Sequence, residues 1–153
     1  MEIRRFQDGD EGEISRLIRR TLIEVNAKDH DKEETDFLYN RYSPEGVAEI
    51  AREGHTYVVW EDGVIQGTGS VVSTGPGESE IVAAFLLPEA IGHGYGRALF
   101  DVLESDPLAV EAQRLWLTSS VMALGFYEKR GYVCEAGYRT RSENGLFVMD
   151  KKR

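Results

Sequence analysis

The residues Ile91-Gly92-His93-Gly94-Tyr95-Gly96-Arg97 decide how the rest of the chain is interpreted. They follow the apolar run 80–87, which is typical of a buried strand, and they precede a helical pattern over residues 97–103. The first turn of a helix leaves backbone N–H groups unpaired, and the helix dipole adds partial positive charge there. Glycines let an anion approach these groups closely. The loop therefore predicts a cradle for a phosphate or pyrophosphate group.

Two common phosphate-binding motifs do not fit this loop. A P-loop needs Lys and then Ser or Thr after its glycine, but Arg97-Ala98 follows Gly96. The dinucleotide fingerprint needs Gly or Ala at a position that is held here by Arg97 or Leu99. The glycines alone also leave open a glycine-rich turn without a ligand.

Upstream of the loop, the sequence patterns alternate between strand and helix. Residues 2–6 form a short strand pattern, and the apolar residues of 14–25 recur at helical spacing after Asp8 or Asp10, which can cap that helix. The charged stretch 28–36 is expected to be exposed, and residues 37–42 indicate a second helical piece. Ser43-Pro44-Glu45 is typical of a helix start, and this helix should end at Gly54.

Three strands and two turns are expected between that helix and the loop, and more elements follow it. The expected strands are 55–61, 64–73 and 80–87, with turns at Asp62-Gly63 and 75–77. Downstream, Pro107 interrupts the helix, 115–117 is a strand and 122–130 is a helix. Strands 132–141 and 146–150 are joined at Asn144-Gly145. This order predicts a single mixed α/β domain over residues 1–153.

The composition excludes several functional classes. The chain has 153 residues and a net charge of −9, which argues against a nucleic-acid partner because phosphate contacts need clustered Lys and Arg. One cysteine excludes an internal disulfide and a thiolate zinc site, so no metal is expected. No membrane span and no signal peptide are visible, so we expect no membrane partner and a cytoplasmic location. Residues 1–80 hold 18 of the 27 acidic side chains and 9 of the 18 basic ones, so this half carries the whole excess charge.

Two motifs together resemble a known family. The stretch from Pro88 through Gly92-His93-Gly94-Tyr95-Gly96-Arg97 to Leu99 resembles motif A of the GNAT acetyltransferase superfamily. Ala123-Leu124-Gly125-Phe126-Tyr127-Glu128-Lys129-Arg130-Gly131-Tyr132 is similar to its motif B. The sequence departs from the family pattern at Ile91, which replaces an Arg or Gln, and at Ser120, which replaces an Asn. The order of elements along nearly the whole chain also matches the family.

The resemblance implies a fold and a co-substrate. The fold is a central mixed sheet of six or seven strands, splayed between strands 4 and 5 and flanked by about four helices. Acetyl-CoA lies in the gap as the acetyl donor. The backbones of Phe85 and Leu86 bind the pantetheine arm, and an N–H near Leu86 polarises the thioester. The pyrophosphate is held by the amides of Gly92, His93, Gly94, Tyr95, Gly96 and Arg97, with Ser120 as a further contact.

The resemblance also implies catalytic roles. Tyr127 matches the family tyrosine near the sulfur of coenzyme A and is expected to be the general acid. Glu80 stands where the histone-acetylating branch has its general base, at the start of the fourth strand. A carboxylate at the mouth of an apolar cleft has a raised pKa and is a better base. Ordered water alone remains the alternative base. His30, His55 and Cys134 lie outside both motifs and are not expected to take part in catalysis.

The acceptor is expected to be a primary amine, with a small cationic amine favoured over a protein N-terminus or Lys side chain. Asp29, Asp31, Glu33, Glu34 and Asp36 can border the entrance as a negative rim that concentrates cations, and Tyr39 and Tyr42 can face it. A non-catalytic acyl-CoA sensor and a nucleotide-binding module of another fold remain alternatives. A homodimer is possible through pairing of the C-terminal strands.

Overall fold

The computed structural model describes residues 1–29, 31–135 and 146–152, and a seven-stranded sheet organises them. The strand order is β1-β2-β3-β4-β5-β7-β6, in which only β4 and β5 are parallel neighbours. The strands are β1 (Glu2–Arg5), β2 (His55–Glu61), β3 (Val64–Gly75), β4 (Glu78–Leu86), β5 (Arg114–Ser119), β6 (Val133–Cys134) and β7 (Phe147–Lys152). This mixed sheet agrees with the predicted architecture.

Six α-helices cover the two faces of the described sheet, where about four were expected. They are α1 (Glu11–Glu24), α2 (Lys32–Arg41), α3 (Pro44–Glu53), α4 (Tyr95–Ser105), α5 (Pro107–Val110) and α6 (Leu124–Lys129). The additional α5 arises because Pro107 cannot continue α4 but fits the first turn of a new helix, which Asp106 caps through the Leu108 N–H. The charged stretch that was expected only to be exposed supplies the start of α2, where the Asp31 carboxylate accepts from the Glu34 N–H.

The start of α3 agrees with the sequence, whereas the start of α1 differs. The Ser43 hydroxyl accepts from the Gly46 N–H, and α3 ends at Gly54 as expected. Asp10 stands at the N-cap position of α1, but its side chain makes no capping hydrogen bond. Its carboxylate instead pairs with the Arg4 guanidinium at 2.8 Å and accepts from the Gln7 N–H. An ion pair thus takes the group that was expected to cap the helix.

The sheet has a hydrophobic core on each face. Val58 and Val59 are both fully buried, and because successive strand residues point to opposite faces they belong to different cores. One core joins the sheet to α1, α2 and α3 through residues such as Ile14 and Ile18. The other joins it to α4 and α6 through Leu99 and the ring of Phe100, among others. Both faces are therefore covered.

The sheet opens between β4 and β5, as the sequence predicted. Pairing of these two strands begins at Glu78 with Arg114 and ends at Ile81 with Leu117. β4 continues to Leu86 and β5 to Ser119, so beyond Ile81 the strands run without hydrogen bonds to each other. The edge of β4 that faces β5 is therefore left free along its second half.

Two predicted features lie wholly or partly outside the described residues. The Asn144-Gly145 turn is outside them, and the expected strand 132–141 is described only as far as residue 135, with β6 at Val133–Cys134. The Asp62-Gly63 turn is described, and both residues have the positive φ values, 57° and 73°, that the hairpin requires. Among the described residues, no helix is long and apolar enough to cross a membrane.

Candidate active site

A cavity of about 610 Å³ occupies the opening between β4 and β5. Its walls come from the second half of β4, the glycine loop, α1, the end of α2 and the start of α6. Most lining side chains are apolar, which is typical of a small-molecule site with a few oriented polar groups. We call the part formed by Gly92, Gly94, Gly96 and Arg97 the glycine-loop end, and the part formed by Arg41, Tyr42 and Glu80 the α2 end.

At the glycine-loop end, the N-terminus of α4 borders the cavity. Gly94 is the N-cap of α4 and has φ 86°, and Gly92 has φ 87°, values that L side chains rarely adopt. The first-turn N–H groups of α4 follow directly, and the first helical hydrogen bond at this end is donated by Ala98 to Gly94. The exposed Arg97 guanidinium lines the cavity and has no ion pair with any described residue. These groups suit a phosphate-bearing ligand.

The second half of β4 bends at a bulge. The register with β3 passes from Thr68 opposite Phe85 to Ser70 opposite Val82, and Ala83 in between has φ 55°. This bulge turns the backbone of Ala84 through Leu86 along the cavity wall. The Leu86 carbonyl accepts from the Thr21 hydroxyl at 2.7 Å, which fixes this wall to α1.

The α2 end is a corner held by three contacts. Tyr42 follows α2 directly, and its carbonyl accepts from the Ser15 hydroxyl at 2.6 Å. The start of α3 lies so close that a Cβ at Gly46 would overlap the Arg41 carbonyl oxygen. The Tyr42 ring packs edge-on against Phe85 of β4, with a centroid separation of 5.6 Å. The corner is therefore fixed against both α1 and β4.

Glu80 is half-buried on β4, and its carboxyl lines the cavity. Burial raises its pKa to about 7, and the positive charge of Arg41 opposes this rise. No described residue forms an ion pair or hydrogen bond with its side chain. A carboxyl group in this state exchanges a proton readily near neutral pH.

Tyr127 lies on α6 with its ring among Phe100, Phe126 and Tyr132. It is 8% exposed and lines the cavity. Burial raises the pKa of its hydroxyl well above the usual range, and Tyr42 adds to the rise. Tyr127 therefore keeps its proton at neutral pH and can donate it only to a strongly basic group.

The structure brings most of the predicted site residues to this cavity. Its lining includes Tyr127, Glu80, Phe85, Leu86, Gly92, Gly94, Gly96, Arg97 and Ser120. His93 and Tyr95 do not line it: His93 is exposed, and the Tyr95 hydroxyl is bonded to the Glu61 carboxylate. The predicted roles of these two residues therefore concern only their backbone amides. The assigned roles of all these residues stay predictions.

The predicted acidic rim is not part of the cavity lining among the described side chains. The Asp31 carboxylate caps α2, and the Asp36 carboxylate pairs with Lys32 at 2.7 Å. Tyr42 does face the cavity, whereas Tyr39 is exposed and stacks with the Arg19 guanidinium, 4.1 Å from its ring centroid. The only acidic residue among the described lining residues is Glu80.

The residues that were not expected to be catalytic lie elsewhere or outside the described chain. His55 bonds through Nδ1 to the Asp106 carboxylate at 2.9 Å, a carboxylate that also accepts from the Tyr57 hydroxyl. Cys134 is half-buried on β6. His30 lies outside the described residues. No group of three or more described His, Cys, Asp or Glu residues is placed to hold a metal ion.

The sequence analysis missed Arg41, and it assigned no role in the site to Thr21. Both lie on helices far from the two motifs, and they reach the cavity because α1 packs against β4, α2 packs against α1, and Tyr42 at the end of α2 contacts β4. A partial signal existed for Arg41. It stands just before the Ser43-Pro44 helix start, so the sequence indicated that a helix ends near Arg41. It did not indicate that this end faces the cavity.

One family model matches most of the chain, and solved structures share its fold. The model of the "Acetyltransferase (GNAT) family" matches residues 14–132. No curated protein sequence matches the chain significantly. Among solved structures, a GCN5-related N-acetyltransferase from Rhodopseudomonas palustris is 23% identical, with a TM-score of 0.80, covering 99% of this chain and 95% of that one. The PaiA N-acetyltransferase of Thermoplasma acidophilum, in complex with coenzyme A, is 19% identical (TM-score 0.81; 99% and 98% covered). Aminoglycoside 6′-acetyltransferase type Ii is also 19% identical (TM-score 0.75; 99% and 97% covered).

Proposed function

Because the chain belongs to the acetyltransferase (GNAT) family, we propose that it moves an acetyl group from acetyl-CoA to a primary amine by direct attack in a ternary complex. The observation that carries this proposal is that Glu80 and Tyr127 line the same cavity. Near neutral pH the Glu80 carboxyl can gain or lose a proton, whereas the Tyr127 hydroxyl keeps its proton. The Glu80 carboxyl has a pKa of about 7, while the pKa of the Tyr127 hydroxyl is well above the usual range. An acetyl transfer to an amine needs one such base and one such acid.

The cofactor is proposed to run from the glycine-loop end into the gap between β4 and β5. The pyrophosphate is held by the first-turn N–H groups of α4 and by Arg97, which agrees with the unpaired state of both. The pantetheine amides add to the free edge of β4 near Phe85 and Leu86, in the manner of an extra strand. The solved structure of the PaiA enzyme, which shares this fold, contains coenzyme A.

The chemistry then requires three proton and charge events. The acceptor arrives as an ammonium ion and loses a proton to the Glu80 carboxylate, directly or through a water molecule. The amine attacks the thioester carbon, and the Leu86 N–H stabilises the oxyanion that forms. When the C–S bond breaks, the departing thiolate takes the proton of the Tyr127 hydroxyl; the second proton that the attacking nitrogen must lose restores the Tyr127 hydroxyl through water, and the Glu80 carboxyl releases its proton to solvent. The burial that raises the pKa of the Tyr127 hydroxyl also raises the pKa of a thiol whose thiolate forms in the same cavity, which makes that thiolate a stronger base than in water.

The test is release of free thiol from acetyl-CoA with a panel of amines and amino-terminal peptides. Amine-dependent release is expected for the wild type, and Tyr127→Phe should lower kcat about 100-fold with an unchanged Kd for coenzyme A. Tyr132→Phe is the matched control, because Tyr132 is in the same aromatic cluster but its hydroxyl is bonded to Glu104 and does not line the cavity. Its kcat should stay close to that of the wild type.

Two outcomes would contradict the proposal. Binding of coenzyme A without any amine-dependent thiol release would favour a non-catalytic acyl-CoA sensor on the same fold. Equal losses of kcat in the two tyrosine variants would make the role of Tyr127 structural. The acceptor class, the homodimer and the cytoplasmic location stay predictions.

A further inference from the structure

The charges at the α2 end do not suit a purely cationic acceptor. Among the described lining residues, the cations are Arg41 and Arg97, and Arg97 is at the glycine-loop end. Among the described lining residues, an acceptor at the α2 end would therefore meet one cation, Arg41, and one acidic group, Glu80. A polyamine would bring a second positive charge towards the Arg41 guanidinium. The acidic residues that were expected to attract such a cation do not line the cavity where their side chains are described.

Arg41 is exposed, its backbone is fixed, and its side chain has no ionic partner among the described residues. It forms no ion pair or hydrogen bond through its side chain with any described residue. Its guanidinium carbon lies 5.3 Å from the centroid of the Tyr42 ring, and Tyr42 is fixed by the hydrogen bond from Ser15. The close approach of Gly46 fixes the Arg41 backbone. A guanidinium that is oriented in this way and unpaired is prepared to bind a planar anion.

We propose that the acceptor is an amino acid-like molecule with a free carboxylate, which Arg41 binds while the amine of the same molecule points to Glu80. This inference rests on the proposed acetyl transfer and names the substrate class of that site. The molecule contributes one negative and one positive charge, and the α2 end offers one partner for each. The planar Arg41 guanidinium can bind the carboxylate through two parallel hydrogen bonds, and this pairing also orients the amine.

A carboxylate fits this site better than a phosphate. A phosphate group at neutral pH carries more than one negative charge, whereas the α2 end has a single described cation and an ionisable carboxyl beside it. A carboxylate carries one charge, which one guanidinium balances. Binding it also cancels the positive charge that holds down the pKa of Glu80.

The experiment compares matched acceptor pairs. Each α-, β- and γ-amino acid of the panel is paired with its carboxamide, which has nearly the same size but no negative charge, and both rates are expressed per concentration of unprotonated amine because the carboxamide lowers the pKa of the amine. The readout is the ratio of kcat/KM for the acid to kcat/KM for the amide, from amine-dependent thiol release. We expect at least one pair to favour the acid by about 10- to 100-fold, the range for a hydrogen-bonded charge pair.

Variants of Arg41 identify the source of the preference. Arg41→Gln should bring the ratio close to one, and Arg41→Glu should reverse it in favour of the amide. Arg41→Lys should keep part of the preference, because the lysine ammonium carries the same charge but cannot form the two parallel hydrogen bonds. Arg52→Gln is the control, since Arg52 is an exposed arginine in the last turn of α3 outside the cavity lining. It should leave the ratio unchanged.

The ratio separates substrate binding from an indirect effect on Glu80. A change in Glu80 alone would alter turnover of acid and amide alike and leave the ratio as it was. The inference is overturned if amines are acetylated but every pair gives a ratio near one, or if Arg41→Gln retains the preference. If no amine stimulates thiol release at all, the proposed function itself fails, and that result is distinct from acetylation without a carboxylate preference.

Discussion

The two ends of the cavity present different kinds of groups to a ligand. The glycine-loop end presents backbone N–H groups from one continuous stretch, together with Arg97. The α2 end presents side chains from α2 and β4, elements that are separated in the chain by α3, β2 and β3. Backbone recognition depends on local conformation, so a short motif can specify it. Side-chain recognition depends on how distant elements pack, and a motif does not carry that information.

The ends also differ in tolerance to substitution. At Gly92 and Gly94 a Cβ would meet no atom within 4 Å, so the constraint there is the positive φ. At Gly46 the constraint is space, because a Cβ would overlap the backbone of Arg41. We therefore expect changes at one end to alter coenzyme A binding and changes at the other to alter use of the acceptor. Four predictions test this separation or the chemistry assigned to the α2 end, from the largest expected effect to the smallest.

Glu80→Gln should have the largest effect. Without a base, kcat/KM at pH 8 is expected to fall about 100-fold. In the wild type, kcat/KM should rise with pH through about 7, as the Glu80 carboxyl loses its proton, and this limb should be absent in the variant. The measurement is the pH profile of amine-dependent thiol release.

Glu78→Gln is the control for that profile, because Glu78 is on the same strand but outside the cavity lining. It should retain both the activity and the pH dependence. If Glu80→Gln retained the rise through pH 7, the base would be another group or water alone, which was the alternative left open by the sequence.

Gly46→Ala should disturb the α2 end without disturbing the glycine-loop end. The added methyl group displaces the corner that carries Arg41 and Tyr42, so the acceptor KM should rise about tenfold or more while the Kd of coenzyme A is unchanged. Overpacking of this kind typically also costs about 1–3 kcal/mol of stability. Steady-state kinetics and calorimetry with coenzyme A give the two constants.

Gly12→Ala on α1 provides the comparison for this substitution. A Cβ there makes only an ordinary contact, 3.5 Å from an Arg16 guanidinium nitrogen, so both constants should stay at their wild-type values. A rise in the Kd of coenzyme A in Gly46→Ala equal to the rise in acceptor KM would show that the two ends are not separable.

The sequence predicted the family and most of the framework for local physical reasons. The match over residues 14–132 confirms the family that was predicted from the two motifs, and the seven-stranded mixed sheet with its opening after β4 confirms the predicted fold. Turns and caps such as Asp62-Gly63 and Ser43 were correct because their conformations depend on neighbouring residues alone. These features required no knowledge of tertiary contacts.

The features that were missed depend on which of several available partners a side chain takes in the folded chain. Asp8 or Asp10 was expected to cap α1; Asp10 stands at the N-cap position, but its carboxylate pairs with the Arg4 guanidinium instead. The negative rim was expected from local charge density, but Asp36 forms an ion pair with Lys32 on the outer surface of α2. Arg41 gave no recognisable motif, because its role depends on a corner that faces β4. A sequence shows which groups are present, whereas their partners are decided by packing.

Arg97→Gln tests the glycine-loop end with a smaller expected effect. Loss of one guanidinium next to a pyrophosphate should raise the Kd of coenzyme A about tenfold, or about 1.4 kcal/mol, and leave the acceptor ratio unchanged. His93→Gln should have little effect, since the His93 side chain is exposed and does not line the cavity. Calorimetry at two salt concentrations measures both, and an equal loss in His93→Gln would mean that its side chain, and not only its amide, binds the cofactor.

The smallest effect is expected in the stability of Glu80→Gln without ligands. Burial raises the pKa of Glu80 from 4.5 to about 7, so the folded state holds the proton more tightly than the unfolded state does. The stability that this protonation contributes is present below about pH 4.5 and is lost as the pH rises through 7, where the buried carboxylate becomes charged.

Gln cannot ionise, so the variant should be more stable than the wild type at pH 8 by about 1 kcal/mol, after allowance for the solvent that still reaches the carboxyl. For a chain of this size that corresponds to a Tm about 2–4 °C higher at pH 8, and the difference should vanish at pH 4. A Tm difference that did not change with pH would mean that the stabilisation comes from packing, and the argument for Glu80 as a base poised near neutral pH would lose its electrostatic support.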